Sequence, residues 1–512
     1  MKYIIYFLTS FFFFSIVSCN KNINIYPVSN LYDAAFYKNI DEIDVALTGC
    51  YNGLQKPLYE EWSMTELRSD NSIMGNPTSG SSDNKELSDL DMFMPNTYHE
   101  GIYNYWLHTY YNIYNVNKVL KSIEVNYTQS EGVLIYDSLL IPVSMEDRKR
   151  VAAEATFIRA YHYFNLVRLF GGVFLIHTPT SPTEAKLINR ESTDEIYKLI
   201  IADLNNTINY GNSAKFNAIN NNDLGRVNTW CAKALLAKVY LTLNRKSKAI
   251  LLLNDIINNS TYSLQPTYKE VFSITNEMNS EILFAVRYKA GSLGLGSPFA
   301  NMFAPNGSGL AVVNGDGQGY NYPAYELETS YLSTDPRFAN NILVYITKHY
   351  VNKYISDMAI ADDAENDWPV IRYADVLLML AEAQGYNASS INLINQIRIR
   401  SGLTALTTST INSVALFEKA LSDERRLEFA FENQRWFDLV RFNTTLTTIT
   451  AEQVMKDHFT IMYPKHYGKY PAPALTLEQL KSFVTVEHLL LPIPQREIDI
   501  NTKIVIPQNP GY

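Results

Sequence analysis

Residues 229–258 read TWCAKALLAKVYLTLNRKSKAILLLNDIIN. Leu236, Ala237 and Tyr240 fall three or four positions apart, the spacing that gathers side chains onto one stripe of a helix. Asn244 to Lys248 make a polar turn, and Ala249, Leu253 and Ile256 repeat the pattern beyond it. Small residues at the facing positions let two antiparallel backbones approach closely. The stretch is therefore a helical hairpin, and the same texture extends outward on both sides.

On the N-terminal side, Phe157, Tyr161, Phe164 and Val167 build a stripe over 151–170, and Gly171-Gly172 supplies the stop. Further helix pairs are expected near 38–55 with 103–124, 150–170 with 193–210, and 370–386 with 390–400. The 229–258 hairpin resembles the tetratricopeptide pattern, although Lys233 stands at the usual tryptophan position and no terminal proline follows. The expected fold is all-α, with about four such pairs in a short right-handed stack and an irregular α-bundle as the alternative. Between 261 and 365 helical periodicity fades. Glycines cluster at 291–296 and 307–319, and Phe299, Phe303, Tyr320, Tyr322 and Tyr325 are embedded there. A loop-rich stretch this long with ordered aromatics points to function. Residues 414–442 read as helix again, with Ser413 as N-cap and Leu416, Ala420, Leu427 and Phe431 facing inward. Beyond 443 the chain reads as irregular.

The first residues have the order of a secretory signal. Lys2 is followed by a mostly apolar run from Ile4 to Val17, shorter than the ~20 residues that span a bilayer. Ile16-Val17-Ser18-Cys19 resembles a lipobox, whose cysteine is acylated after cleavage before it. Two or more acyl chains make a lasting anchor. The expected organisation is a signal peptide over 1–18, a lipidated tether over 19–34 and one domain over 35–512. That domain divides into a helical-repeat part (35–260), a loop-rich insertion (261–365), a helical part (366–442) and an irregular end (443–512).

A formal charge of −9 over 512 residues, without a basic stripe, argues against nucleic acid as partner. Cys50 and Cys231 form no disulfide framework and read as core residues. The eight histidines show no zinc-hydrolase spacing, and Asn314-Gly315-Asp316-Gly317 lacks the alternating ligands of a calcium loop. No nucleophile elbow or phosphate loop occurs. Catalytic, metal and cofactor sites are therefore not expected.

Two features invite chemistry. Glu424, Glu428, Glu432 and Asp438 alternate with Arg425, Arg426, Arg435 and Arg441 at helical spacing, which favours an ion-pair network over an acid/base pair. Ligand contacts are expected in two aromatic–polar segments. One runs from Trp62 to Asp70 and Asn71, with the loop to Tyr98 beyond it, and the other holds Tyr320 and Tyr322. Trp106, with Tyr110, Ile113 and Asn117 at helical spacing, reads as core.

Several motifs in order carry a family resemblance. They include Glu154-Ala155-Thr156-Phe157-Ile158-Arg159-Ala160 leading to Leu169-Phe170-Gly171, Gly225-Arg226, and Arg372-Tyr373-Ala374-Asp375 before Ala381-Glu382-Ala383. Arg398-Ile399-Arg400-Ser401-Gly402-Leu403 and Glu424-Arg425-Arg426-Leu427-Glu428 with Glu432, Arg435, Trp436, Asp438, Leu439 and Arg441 follow. The chain closes on Leu491-Pro492-Ile493-Pro494, Glu497-Ile498, Asn501 and Gln508-Asn509-Pro510-Gly511-Tyr512. Together these resemble the SusD/RagB family of Bacteroidetes surface lipoproteins. Members usually carry glycine where Asn433-Gln434 stands. The resemblance implies tetratricopeptide-like units plus a variable ligand region, without catalysis. It further implies capture of a nutrient, expected to be an oligo- or polysaccharide, for a SusC-like TonB-dependent outer-membrane transporter that the protein covers like a lid. Peptide or protein ligands are the alternative binding reading, and a surface glycoside hydrolase is a third. Localisation at the outer membrane, facing outward, is expected from the family, although Asn20-Lys21-Asn22-Ile23 lacks the acidic residues that often follow an exported cysteine.

Overall fold

The structure, a computed structural model, describes residues 37–75, 82–139, 141–470, 475–501 and 503–512. The expected signal peptide, Cys19 and the 19–34 tether lie outside the described residues. In chain order the principal helices are α1 (Ile40–Asn52), α2 (Gln55–Thr65), α3 (Ser82–Asp91), α4 (Glu100–Ser122), α5 (Met145–Phe170), α6 (Thr193–Tyr210) and α7 (Thr229–Thr242). Then come α8 (Lys246–Asn259), α9 (Tyr373–Gln384), α10 (Ala388–Arg400), α11 (Val414–Glu428), α12 (Arg435–Thr445) and α13 (Ala451–Met462).

The four expected pairs pack as read: α1 on α4, α5 on α6, α7 on α8 and α9 on α10. Contacts of α4 with α5, α6 with α7 and α8 with α9 join them into a continuous stack. Local chemistry sets the ends. The Asn228 side chain accepts the N–H groups of Trp230 and Cys231 at the start of α7, and Asn244 leaves it at φ +53°. Ala232, Ala234 and Ala237 are fully buried where the neighbours press closest. Helix α5 is the axle of the stack, buried on nearly every side and ended by Gly171 at φ +72°. The resulting core runs continuously from Ile43 to Ile506. Full burial of each Leu, Ile, Val, Met or Phe in it is worth roughly 1.5–3 kcal/mol.

The structure corrects three expectations. First, short strands accompany the helices: β1 (Ser72–Ile73), β2 (Ile282–Val286), β3 (Tyr322–Pro323), β4 (Ile342–Tyr345), β5 (Lys348–Val351) and β6 (Trp368–Arg372). β2 and β6 pair antiparallel with every residue buried, so Val370 to Arg372 belong to a strand. A short, fully buried apolar run carries no period that separates strand from helix. Second, 414–442 is two helices broken at 429–434, where Phe431 (φ +65°) and Asn433 (φ +58°) are left-handed. Phe431 is buried from that junction, not from a helical face. Third, the region after 443 contains α13, capped by Thr450 and packed through Met455, Phe459 and Met462.

Candidate functional site

The charged helix is a scaffold, and its partners lie mainly on other elements. Arg425 grips Asp438 through Nε and Nη2 (2.7 and 2.9 Å) and reaches Asp375 at 2.9 Å. Arg441 binds Glu382 through two 2.8 Å bonds. Glu428 meets Arg337 (3.1 Å), Arg372 (3.0 Å) and Arg400, while Glu432 meets Arg372 and Lys353 at 2.7 Å. All are buried. Burial alone would raise the Glu428 pKa, but Arg400, Arg372 and Arg337 overcome it and bring the group to about 2. Arg441 also meets Asp438 at 2.8 Å, the one neighbouring-turn pair within a helix among these contacts. The other ion pairs staple α11 and α12 to α9, α10, β6 and the insertion. These carboxylates are occupied by cations and closed to solvent.

The same scaffold positions the first candidate segment. Arg435 clasps the Asp70 carboxylate through Nε and Nη2 (2.7 and 2.9 Å), and Arg426 approaches it at 3.1 Å. Arg426 also donates to the Asp70 carbonyl, and its Nε donates to Asn71 Oδ1 at 3.1 Å. Burial pushes the Asp70 carboxyl up, yet the two guanidiniums hold it well below the usual carboxylate range. From this anchor the chain enters β1, which pairs antiparallel with β3 through Ser72–Pro323 and Ile73–Tyr322. The Ala324 N–H closes the ladder on the Asn71 carbonyl at 2.8 Å. Gly75 completes the joint: a Cβ there would stand 2.4 Å from both the Gly319 carbonyl oxygen and the Tyr322 ring. Two segments some 250 positions apart in sequence thus meet at one edge.

Beside this joint lies a cleft of about 220 Å³. Tyr59, Glu60, Trp62 and Ser63 line it from α2, and Glu86 and Leu87 from α3. His99, Glu100, Gly101 and Asn104 come from the start of α4, and Met302 and Tyr320 from the insertion. Helix α4 begins with an unusual cap: His99 Nδ1 accepts the Ile102 N–H at 3.2 Å, and Nε2 faces the Glu86 carbonyl at 3.0 Å. Burial lowers the His99 pKa against the pull of Glu86, so the ring stays neutral near pH 7. The Glu86 carboxylate receives the Glu100 and Gly101 N–H groups at 3.0–3.2 Å, satisfying donors that a helix start leaves open. Gly101 keeps the floor open, since a Cβ there would sit 3.1 Å from Glu60 Oε2 and 3.3 Å from the His99 ring.

The sequence candidates separate accordingly. Trp62 and Tyr320 line one cleft. Trp62 is a wall, not an exposed platform: it is 1% exposed and meets Phe303 edge-on at 5.1 Å. Asp70 and Asn71 are corrected as direct ligand contacts, because both are buried and held by Arg426 and Arg435. Tyr322 is half-buried, its ring against Gly75. Tyr98 is 59% exposed but turns its hydroxyl to Asp499 at 3.3 Å and does not line the cleft. Tyr59, Glu86, His99 and Asn104 were missed. Their one signal is His99 immediately before a long amphipathic helix, a position where a side-chain acceptor is wanted. Trp106 is core as expected, edge-on to Phe170 at 5.1 Å.

Asp316 in the Asn314–Gly317 stretch accepts the N–H groups of Gly309 and Gly317 at 3.0 and 2.8 Å, as a turn does. Among the described residues no group of three or more His, Cys, Asp or Glu is placed to hold a metal ion. Cys50 and Cys231 are buried, and burial pushes both thiols up to about 12.

Known proteins are similar to this chain in sequence and in fold. The chain is 24% identical to SusD-like protein P25 of Formosa agariphila, with 96% of this chain and 95% of that one covered. It is 23% identical to a SusD-like protein of Bacteroides ovatus, with 94% of each covered. Among solved structures, a laminarin binding SusD-like protein superposes with a TM-score of 0.71 at 25% identity, covering 93% of this chain and 100% of that one. Surface glycan-binding protein A from Bacteroides thetaiotaomicron, solved with laminarihexaose, has the same fold with a TM-score of 0.70 at 19% identity, covering 92% and 99%. A model described as "Starch-binding associating with outer membrane" matches residues 26–241. The SusD family model matches residues 205–512, and with more than half of the sequence so matched, the chain belongs to the SusD family.

Proposed function

We propose that this protein captures an oligo- or polysaccharide in the Trp62–Tyr320 cleft and does not cleave it. The observation that carries the reading is the cleft itself. Aromatic walls and convergent polar groups are mounted on packed helices, Glu60 mid-way along α2, Glu86 mid-way along α3, and Glu100 and Asn104 at the start of α4. Ring faces and hydrogen-bonding edges are what sugar rings require. The laminarin- and laminarihexaose-binding proteins of the same fold add support. The carboxylates richest in sequence, from Glu424 to Asp438, are locked against guanidiniums, which favours binding over hydrolysis. In this reading acyl chains on Cys19 hold the protein to the outer membrane, facing outward, and the captured glycan passes to a SusC-like TonB-dependent transporter.

Calorimetry of the mature protein against plant, host and microbial oligosaccharides, laminarihexaose included, tests capture. Binding that Tyr320→Ala weakens at least tenfold supports it. Silence across the panel overturns it, and chromatographic appearance of shortened chains overturns the non-catalytic part. Mass spectrometry of the N-terminal peptide tests acylation of Cys19, and co-purification with a barrel transporter tests the partnership.

A further inference from the structure

Resting on that glycan-capture reading, we infer that the sugar is taken as a chain of several residues, one end in the cleft and the rest laid along the solvent face of α4. The cleft, at about 220 Å³, is smaller than the roughly 300–1,000 Å³ that encloses a drug-sized ligand. A chain of several sugars held there must continue outside it. Asn104 marks the exit, because it lines the cleft and also begins a stripe along α4. Leu107, Tyr111 and Tyr114 follow it at helical spacing, 43%, 65% and 37% exposed. The opposite face buries Tyr105, Trp106, Ile113 and Val116. A helix that packs on one side normally gives charged residues to water on the other. Between Glu100 and Lys118, α4 has no Asp, Glu, Lys or Arg, and rings stand where charges are expected.

The geometry suits a linear occupant. Asn104 and Tyr111 are two turns apart on one face, about 10 Å along the axis, and Tyr114 lies about 5 Å further on. The strip is narrow. Arg496 covers the Tyr103 ring at its near end (4.6 Å), Lys118 lies 5.6 Å from the Tyr114 ring centroid at its far end, and Lys56 of α2 stands within electrostatic reach of His108. A stable protein interface takes roughly 800 Å² and 20–30 residues from each partner, far more than this strip supplies. One polymer strand needs no more than such a strip. Each tyrosine offers it a rigid apolar face with a hydroxyl at the tip, which matches the apolar faces and hydroxyl edges of a sugar ring.

Calorimetry against β-1,3-glucan, β-1,4-mannan and β-1,4-galactan oligosaccharides of two to eight residues tests it. In whichever series binds, the hexasaccharide is expected to bind at least tenfold tighter than the disaccharide, since each stacked ring contributes roughly threefold to tenfold. Tyr111→Ala combined with Tyr114→Ala is expected to cut that gain at least fivefold and to leave the shortest bound chain within twofold of wild type, which also reports an intact fold. Tyr111→Phe combined with Tyr114→Phe keeps both rings and is expected to retain the gain. A flat length profile, or a gain that the alanine pair leaves untouched, overturns this inference and leaves glycan capture intact. An equal loss in the phenylalanine pair overturns the stacking on which it rests. A dimer in sedimentation velocity that the alanine pair dissolves, beside an unchanged length profile, overturns it too and makes the face a contact between copies. Silence at every length overturns the capture reading, and the track along α4 with it.

Discussion

Asp70→Asn probes the joint between scaffold and site. The substitution keeps shape and removes one charge, leaving Arg435 and Arg426 facing a neutral amide in a space where Asp70 and Arg435 are each about 4% exposed. Removing one partner of a buried pair costs about 3–5 kcal/mol, because the remaining charge stays desolvated. The retained amide oxygen still accepts one bond, so the lower end, about 3 kcal/mol, is expected. Unfolding entropy for a chain of this size is roughly 1 kcal/mol/K, which converts that loss into a Tm drop of about 3 °C. Scanning calorimetry of wild type, Asp70→Asn, Arg435→Met and the double variant reads it out. The double variant should lose less than the sum of the singles by at least 1 kcal/mol, the coupling expected of contacting residues. A Tm within half a degree of wild type, together with lost glycan binding, would refute the reasoning and return Asp70 to the ligand.

Three further outcomes follow from particular residues. His162 is buried against Asn112 (2.8 Å), and burial lowers its pKa to about 3. The unfolded chain takes up this proton first, near pH 6.5, so stability falls by up to roughly 1.4 kcal/mol per unit between about pH 6.5 and 3. Urea melts of His162→Gln should show a shallower acid slope than wild type. Ile346, at φ +60° and 81% exposed in the turn between β4 and β5, pairs a branched side chain with a left-handed backbone. Ile346→Gly should raise the urea midpoint by about 1 kcal/mol equivalent, and a fall would contradict the strain. At Asn433, both Asn433→Gly and Asn433→Ala give up the buried side chain's 3.5 Å bond to Glu61, but φ +58° predicts that Asn433→Ala costs about 1 kcal/mol more than Asn433→Gly. Denaturant titration separates the two.

The helical pairs were legible because their signal is local: Leu236, Ala237 and Tyr240 lie on one helix and Ala249, Leu253 and Ile256 on the next, joined by a three-residue turn. The family's glycine at the α11–α12 junction also finds its reason, since Asn433 occupies a left-handed backbone there. What stayed hidden depended on distance. The partners of Arg372 and Arg435 come from Glu281 and Asp70, and no spacing rule connects such positions. Periodicity suggested pairing along a helix where the folded chain pairs across helices. The cleft was half legible. Trp62 and Tyr320 stand out as aromatics amid polar residues, while Glu86, His99 and Asn104 look ordinary until α3 and α4 converge.

The two-rung ladder between β1 and β3 divides the molecule into a part that can vary and a part that cannot. Inward of it, guanidiniums such as Arg372 and Arg425 each hold two or more carboxylates, so a substitution unbalances several neighbours at once. Outward of it, the stretch from 304 to 320 must arrive at Tyr322 with a strand-forming backbone and leave room at Gly75, while Phe299, Met302 and Phe303 before it stay in the core. Exchanging residues 304–320 as a cassette between relatives, with the ladder as the splice point, therefore leaves the packing of Phe299 and Phe303 against Trp62 and Trp368 in place.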